Sequence, residues 1–496
     1  MYVSNHNVLL KTPGKETVIF NALWGSMDIL DPNEVEVLEK IKTTGDCYKN
    51  EKTVAALLEA GYVCMNETVE NAKFAAEYQE FVQHVASMPE NFFIIPSYAC
   101  NLACVYCFQE DVEKTHEVIE DNVIDQVFRT IDTIRAERGN KGMPQITVYG
   151  GEPLLDNKKQ IKAVKRILEE SRKRGFKKIV VTNGVTLKKF VTMLADAHID
   201  EVHVTLDGCR EVHDARRMMK GGQGTFDVIV EGIKAALKAG LNIHLRVIVD
   251  KNNLERLPDL IQFLDEQGWL DNPKFRMHVG RIYECGAVST SPYKEKYYIG
   301  LIDLIRYWAQ NASQLKGVDF GFRGIKQALY TGKVPSPLFS YCPSCTNEFV
   351  FDLRGDIYPC PGGCGDTQLR VGTFYPQVEY FDIFHKWQSR TILRIEKCQQ
   401  CDLALVCGGG CPLENLAEDK DIFEPACTPI REEMQIGVNI LYPQLLQVEN
   451  RAQPVQEPCC CSTEDPQEVI SMDEKKTQPE CNCAEVKIIP LDEEEE

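Results

Sequence analysis

Between residues 91 and 280, short apolar runs alternate with amphipathic stretches. The runs are Phe92–Pro96, Ile146–Tyr149, Ile179–Thr182, Val202–Leu206, Ile243–Val249 and Phe275–Val279. Between them, apolar residues recur at helical spacing over Val118–Arg138, Lys158–Arg174, Leu187–Asp196, Phe226–Ala239 and Leu254–Gln267. Runs this continuously apolar suit strands buried on both faces, and their alternation with helices predicts a parallel sheet. Six such units are too few to close an eight-stranded barrel. The expected fold class is therefore α/β, an open partial (β/α)6 barrel of the TIM type with its site at the C-terminal ends of the strands.

The flanks follow other patterns. Residues 1–90 predict a small α/β unit in which Glu16–Ala22 and Ser26–Leu30 form a hairpin around a Leu23-Trp24-Gly25 turn. Asp31 caps a helix that begins at Pro32, and helices follow near Thr53–Ala60 and from Glu67 to Met88. Residues 281–338 form a connecting region with a helical Lys294–Ala312. Residues 339–450 are rich in cysteine and glycine and poor in long periodic segments, as expected where metal replaces hydrophobic core. After Pro443 the chain turns Pro-, Glu- and Gln-rich, and 451–496 is expected to be a disordered acidic tail.

Charge narrows the partners. The 496 residues, 44% apolar and 26% charged, suit a soluble globular chain of several domains. Lys and Arg number 55 against 74 Asp and Glu, a net charge of −19, so no surplus exists to neutralise phosphates and nucleic acid is not an expected partner. No run approaches the ~18 apolar residues of a membrane span, and the start lacks a basic region followed by an apolar one. No membrane partner and a cytoplasmic location are expected.

The 21 cysteines carry the chemistry. They cluster within 100–107, 342–364, 398–427 and the tail, and an odd, clustered set without a secretion signal suits metal better than disulfides. Cys100, Cys104 and Cys107 follow the first barrel strand. Three thiolates at spacings of four and three can wrap one face of an iron–sulfur cubane and leave the fourth iron without a protein ligand, whereas a structural zinc site would need a fourth ligand nearby. Gly150-Gly151-Glu152-Pro153, Thr182-Asn183-Gly184 and Thr205-Leu206-Asp207-Gly208 end the next three strands, followed by His213-Asp214, Arg216-Arg217 and Gly224-Thr225-Phe226.

In that order and spacing, these motifs resemble the radical S-adenosylmethionine (SAM) superfamily. The resemblance implies a [4Fe–4S] cluster on the catalytic triplet Cys100, Cys104 and Cys107, with SAM chelated to the open iron and cleaved to a 5′-deoxyadenosyl radical. It implies that Gly151 and Glu152 meet the methionine amino group, Tyr106 the adenine, and Thr205 and Arg217 the ribose and carboxylate. The later series Cys345, Cys360, Cys398, Cys401, Cys407, Cys411 and Cys427 resembles the C-terminal SPASM domain of peptide-modifying radical SAM enzymes. Two auxiliary [4Fe–4S] clusters are then implied, making three in all. Cys345, Cys360 and Cys411 would serve one, and Cys398, Cys401, Cys407 and Cys427 the other. Cys342 is preferred as fourth ligand of the first; Cys364, or an iron left open to a substrate thiolate, are the alternatives. Cys47, Cys64 and Cys285 remain as structural thiols.

The N-terminal unit resembles, in layout, the peptide-recognition element that holds a precursor's leader peptide in natural-product maturases. The chain is thus expected to be a radical SAM/SPASM maturase of a ribosomally made precursor peptide, forming a thioether from cysteine to an unactivated carbon and drawing electrons from a donor such as flavodoxin or ferredoxin. Carbon–carbon crosslinking and sulfatase maturation use similar machinery. Against the latter, sulfatase-maturing enzymes carry an Asp that serves as a base directly after the second SPASM cysteine, where this chain has Pro361, and they typically begin near the cluster motif, which 90 residues precede here. An iron–sulfur electron carrier is the alternative from another class. For the tail cysteines Cys459, Cys460, Cys461, Cys481 and Cys483, metal delivery and mimicry of a Cys-rich substrate stand beside incidental thiols.

Overall fold

The computed structural model describes residues 1–45, 51–109, 112, 116–139, 141–282, 292–417 and 420–452. Cys47, Cys285 and the tail from 453, with its five cysteines, lie outside the described residues.

The N-terminal unit contains strands β1 (Tyr2–Val3), β2 (Asn7–Lys11), β3 (Thr17–Asn21), β4 (Ser26–Leu30) and β5 (Val63–Cys64), with helices Pro32–Thr44, Glu51–Glu59 and Glu67–Ser87. β2, β3 and β4 form an antiparallel meander, and β1 pairs with β5. The expected hairpin is β3–β4; β2 adds a third strand whose buried positions are only Val8 and Leu10. Asp31 caps as its sequence predicts. Its carboxylate accepts from the N–H groups of Asn33 and Glu34, and the Glu34 carboxylate accepts from Asp31 N–H.

The barrel strands β6 (Asn91–Ile95), β7 (Gln145–Val148), β8 (Lys177–Thr182), β9 (Glu201–Thr205), β10 (Ile243–Val249) and β11 (Phe275–Arg281) pair in chain order, all parallel. Val202, Val204, Ile243, Leu245, Val247 and Val249 are buried against the helices. Glu201, His203, Thr205, His244, Arg246 and Ile248 alternate with them and line the inner face.

The sheet does not end with the barrel. β12 (Glu348–Asp352) pairs in parallel with β6, in the register Glu348 to Asn91 through Asp352 to Ile95. β13 (Asp356–Tyr358), β14 (Gly372–Thr373) and β15 (Glu379–Tyr380) then follow antiparallel, giving ten strands. The cysteine-rich region is thus not short of core, as its sequence suggested: Phe349, Phe351, Ile357, Tyr358, Phe374 and Trp387 are at most 4% exposed. The sequence hid this because the apolar residues sit in strands of two to five residues, too short to show a period.

A second core joins the N-terminal sheet to helices Leu301–Asn311, Ile325–Thr331 and Ile430–Ala452. The stretch expected as one helix, Lys294–Ala312, is two, Pro292–Tyr297 and Leu301–Asn311, parted at Gly300. The last helix continues through Pro443, where composition suggested a tail; burial of Leu441 and Leu445 holds it past the proline. Gln435 on this helix accepts from Lys11 N–H (3.0 Å) and donates to Lys11 C=O (2.6 Å), covering the outer edge of β2. Among the described residues no helix is long and apolar enough to cross a membrane.

Phe339 joins the two halves. It is fully buried, with ring centroids 5.2 Å from Phe74, 5.2 Å from Tyr78 and 5.4 Å from Phe81, all on the helix Glu67–Ser87. Truncating a buried phenylalanine costs about 3–5 kcal/mol. Phe339→Ala is expected to lower the thermal midpoint and to make the 67–87 helix the first segment cut in limited proteolysis; an unchanged cleavage pattern would show that this contact does not anchor the N-terminal unit.

Candidate active site and thiol sets

The first thiol loop leaves β6 and is fastened along its length. Ala103 N–H donates to Met218 C=O (2.9 Å), Val105 N–H to Arg216 C=O (3.0 Å) and Lys220 N–H to Asn101 C=O (3.1 Å). The loop and residues 216–220 therefore form one ribbon across the strand ends. Cys100, Cys104 and Cys107 are all half-buried in it. Asn183, at the end of β8, donates to the Asn101 side chain (2.8 Å), and its amide lies 3.9 Å from Cys100 Sγ.

Glycine is required beside this loop. A Cβ on Gly151 would lie 2.4 Å from the backbone carbonyl oxygens of both Tyr98 and Ala99. Because these are backbone atoms, the conflict could be relieved only by moving the thiol loop itself. Glu152 next to it is fully buried. Its carboxylate accepts from Thr182 Oγ1 (2.7 Å), Asn183 N–H (2.6 Å) and Leu154 N–H (2.8 Å), and burial pushes its pKa up. Glu152 thus braces the ends of β7 and β8, with lone-pair capacity for about one further donor.

Tyr106 sits in a network of buried charges. Its hydroxyl donates to Asp207 and accepts from Arg217 Nη1 (2.8 Å), and the Arg216 guanidinium lies 4.9 Å from its ring centroid. Arg216, 1% exposed, bonds to Asp250 and the Ile248 carbonyl and lies 3.6 Å from Asp207. Asp207 also accepts from Ile248 N–H (3.0 Å), and its own N–H donates to His213 Nδ1 (3.1 Å). Burial pulls His213 down to about 4, so the ring is neutral. Thr205 ends β9 in register with Arg246. The sequence assigned roles to Tyr106 and Arg217 but none to Asp207, Arg216 or Asp250. The available signal was positional: Asp207 and Asp250 each lie just beyond a strand end.

Two further thiol sets gather in the C-terminal region. Burial first and Cys342 second push Cys345 up to about 12; burial, with a smaller contribution from Cys411, pushes Cys342 up to about 11. Cys360 rises through burial and then through Glu348, Cys342 and Cys411. In the other set, Cys398 is pushed up to about 12 by burial, then by Cys407, Cys401 and Cys427. Cys364 belongs to neither neighbourhood. It is 1% exposed, accepts from Gln109 Nε2 (3.2 Å) and lies near Asp352 and Tyr98. Cys64 is buried in the N-terminal unit.

Tyr149, the last residue before Gly150, faces both ends of this machinery. Its phenol is pushed up by burial and acted on by Arg246, Cys364, Cys107 and Cys360. On the inner face, His203 Nε2 lies 3.0 Å from Glu201 and 3.4 Å from His244 Nδ1, and Lys177 and Arg276 also engage that carboxylate.

The residues present fit an iron–sulfur cluster and SAM. Three thiols share one braced loop, the Gly151 cradle keeps backbone close to it, and the buried Nε atoms of Arg216 and Arg217 have no hydrogen-bond partner among the described residues. Residues 94–264 match the family model of the Radical SAM superfamily. A cysteine-type anaerobic sulfatase-maturating enzyme of Clostridium perfringens is 23% identical over 375 residues, covering 71% of this chain and 96% of the relative. The solved structure of anSMEcpe with bound AdoMet superposes with a TM-score of 0.55 at 19% identity, over 74% of this chain and 97% of that one. Streptococcus suis SuiB bound to precursor peptide SuiA gives 0.51 at 17% identity, over 86% of this chain and 99% of SuiB. At these identities the superpositions establish the fold. The family match gives the chain a radical SAM domain over residues 94–264, and that domain implies SAM and a [4Fe–4S] cluster as cofactors.

Proposed function

We propose that the enzyme matures a ribosomally made precursor peptide, closing a thioether from a cysteine sulfur onto an unactivated carbon. The observation that carries this reading is the parallel pairing of β12 with β6, which sets the cysteine-rich region beside the strand that delivers the first thiol loop. A substrate group held where the two meet would lie between a radical source and an electron acceptor. When bound, the cofactors supply reductive cleavage of SAM to a 5′-deoxyadenosyl radical that takes a hydrogen atom from the acceptor carbon, and an auxiliary cluster that takes the surplus electron as the thiolate closes.

The chain's own residues are assigned as follows. Cys100, Cys104 and Cys107 hold the SAM-binding cluster. Gly151 and the spare lone pair of Glu152 meet the amino group of SAM, Tyr106 meets its adenine, and Thr205 and Arg217 its ribose and carboxylate. Cys342, Cys345, Cys360 and Cys411 hold one auxiliary cluster, and Cys398, Cys401, Cys407 and Cys427 the other, for three in all. The mutual electrostatic influence within each foursome supports this division.

A peptide substrate is supported by the fold shared with SuiB bound to SuiA and with anSMEcpe bound to AdoMet and the Cp18Cys peptide, the latter at a TM-score of 0.54. In the N-terminal unit, helix Ile430–Ala452 covers β2, while β4 pairs only with β3 among the described residues. A leader peptide would add as a strand on β4, gaining affinity from backbone hydrogen bonds. Flavodoxin or ferredoxin is assigned as electron donor, and the oxygen sensitivity of such clusters supports a reducing cytoplasm as the location in this reading.

Sulfatase maturation is the second reading, favoured by the Clostridium perfringens relative and opposed by Pro361. Incubation with SAM, reductant and either a candidate Cys-containing precursor or a sulfatase-derived Cys peptide separates the two by mass spectrometry. A crosslink shows as a loss of two hydrogens resistant to thiol alkylation, and formylglycine in the sulfatase peptide would overturn the thioether reading. The cluster assignment has its own test. Anaerobically reconstituted enzyme is expected to hold about twelve irons per chain, four to a cluster. Replacing Cys100, Cys104 and Cys107 with alanine should leave about eight and abolish 5′-deoxyadenosine formation; persistence of that product would refute it.

A further inference from the structure

Arg390 is 1% exposed, yet among the described residues it makes no ion pair with a carboxylate. Four of its five donors go to backbone carbonyls: Nε to Ile422 (2.6 Å), Nη1 to Gly410 (3.0 Å), and Nη2 to Gly409 (2.8 Å) and Glu424 (3.1 Å). Those carbonyls belong to two segments. Gly409 and Gly410 lie between Cys407 and Cys411, one thiol from each C-terminal set, and Ile422 and Glu424 lead into Cys427. Gly408, Gly409 and Gly410 all have positive φ, at 67°, 84° and 71°, so the crossover is a left-handed turn that side chains would strain. The acidic groups that act on Arg390 are thiols of both sets, Cys345, Cys411, Cys398 and Cys342.

Burying a cation without a carboxylate is costly unless another anion compensates it. Four neutral carbonyls satisfy those four donors but not the charge. An anionic thiolate-ligated cluster on either side would. Arginine also suits the position because its guanidinium does not lose its proton in a dry site.

We propose that Arg390 is a fixed cation set between the two auxiliary clusters, raising the reduction potential of both while clasping the chain crossover that links them. This rests on the reading that the two foursomes hold clusters. The reduced cluster carries one more negative charge than the oxidised one, so a nearby permanent cation stabilises the reduced form and shifts the potential upward. Arg390 is a positioning residue that acts on clusters through charge and touches no substrate. Its effect would be to keep both auxiliary clusters ready to accept an electron.

The test uses reconstituted full-length protein in a parent variant with Cys100, Cys104 and Cys107 replaced by alanine, so that only auxiliary clusters give a signal. Arg390→Gln removes the charge and keeps two donors; Arg390→Lys keeps the charge, since an ammonium between two anions retains its proton. Iron content and redox titration followed by electron paramagnetic resonance are read on each. Arg390→Gln is expected to retain the parent's iron and to move both midpoints downward, with Arg390→Lys close to the parent. Unmoved midpoints in Arg390→Gln, or a shift in one cluster alone, would overturn the proposal. Equal loss of iron from both variants would also overturn it, leaving a backbone clasp without an electrostatic role. A parent variant already devoid of auxiliary iron would remove the reading beneath it, and the proposal with it.

Discussion

The parallel pairing of β12 with β6 is the constraint on which the site depends. β6 delivers the first thiol loop at its C-terminal end, and β12 runs beside it in the same direction, with Asp352 opposite Ile95. The cysteine-rich region therefore continues the barrel sheet, and the stacking of Phe92 on Phe349 and Phe351 (centroids 5.6 and 6.0 Å) fills the seam with apolar contact. Had that region been a separate domain on a linker, the distance between thiol sets would vary with domain motion. Here it is fixed by backbone hydrogen bonds in a continuous sheet.

A second constraint acts at the other side of the thiol loop. Arg216 and Arg217 would be expensive to bury alone, and Asp207 and Asp250 compensate them from the ends of β9 and β10. Tyr106 connects this network to the thiol loop from between Cys104 and Cys107. Because the same residues also pair backbone to backbone, through Val105 N–H and Arg216 C=O, loop position and charge balance are coupled. Removing one carboxylate would disturb the loop as well as the arginines.

The barrel was legible in the sequence because its strands carry apolar residues on the helix-facing side and are separated by full helices; β10 spans Ile243–Val249 as expected and buries alternate positions. The motifs at strand ends were legible because glycine and asparagine mark turns at fixed spacing. Three things were not. β2 alternates over only five residues, and the Pro13-Gly14 turn signal that follows it did not enter the expectation of a two-stranded hairpin. β12 pairs with a strand some 250 residues earlier, and no local pattern encodes that partner. Arg390 has no motif at all: its meaning comes from carbonyls at Gly409, Gly410, Ile422 and Glu424, which only the folded crossover brings together. Periodicity reports a residue's neighbours on its own element, whereas these features are set by neighbours on others.

The choice between Cys342 and Cys364 shows how packing decides what spacing leaves open. Both lie within reach of the same series along the chain. Cys342 sits one turn before Cys345, with Cys345 N–H bonded to Cys342 C=O (3.0 Å), and it is acted on by Cys411. Cys364 instead has its sulfur engaged by Gln109, with Tyr98 held nearby by its bond to Asp352 (3.0 Å). Besides Gln109, the groups acting on Cys364 are Asp352 and Tyr98, whereas those acting on Cys342 include Cys411 of the same set. Cys342 faces other thiols of a common set, where the charge of a bound metal would offset its burial. This packing supports Cys342 over Cys364 as fourth ligand in the proposed assignment, and it leaves the Cys364 sulfur bonded to Gln109.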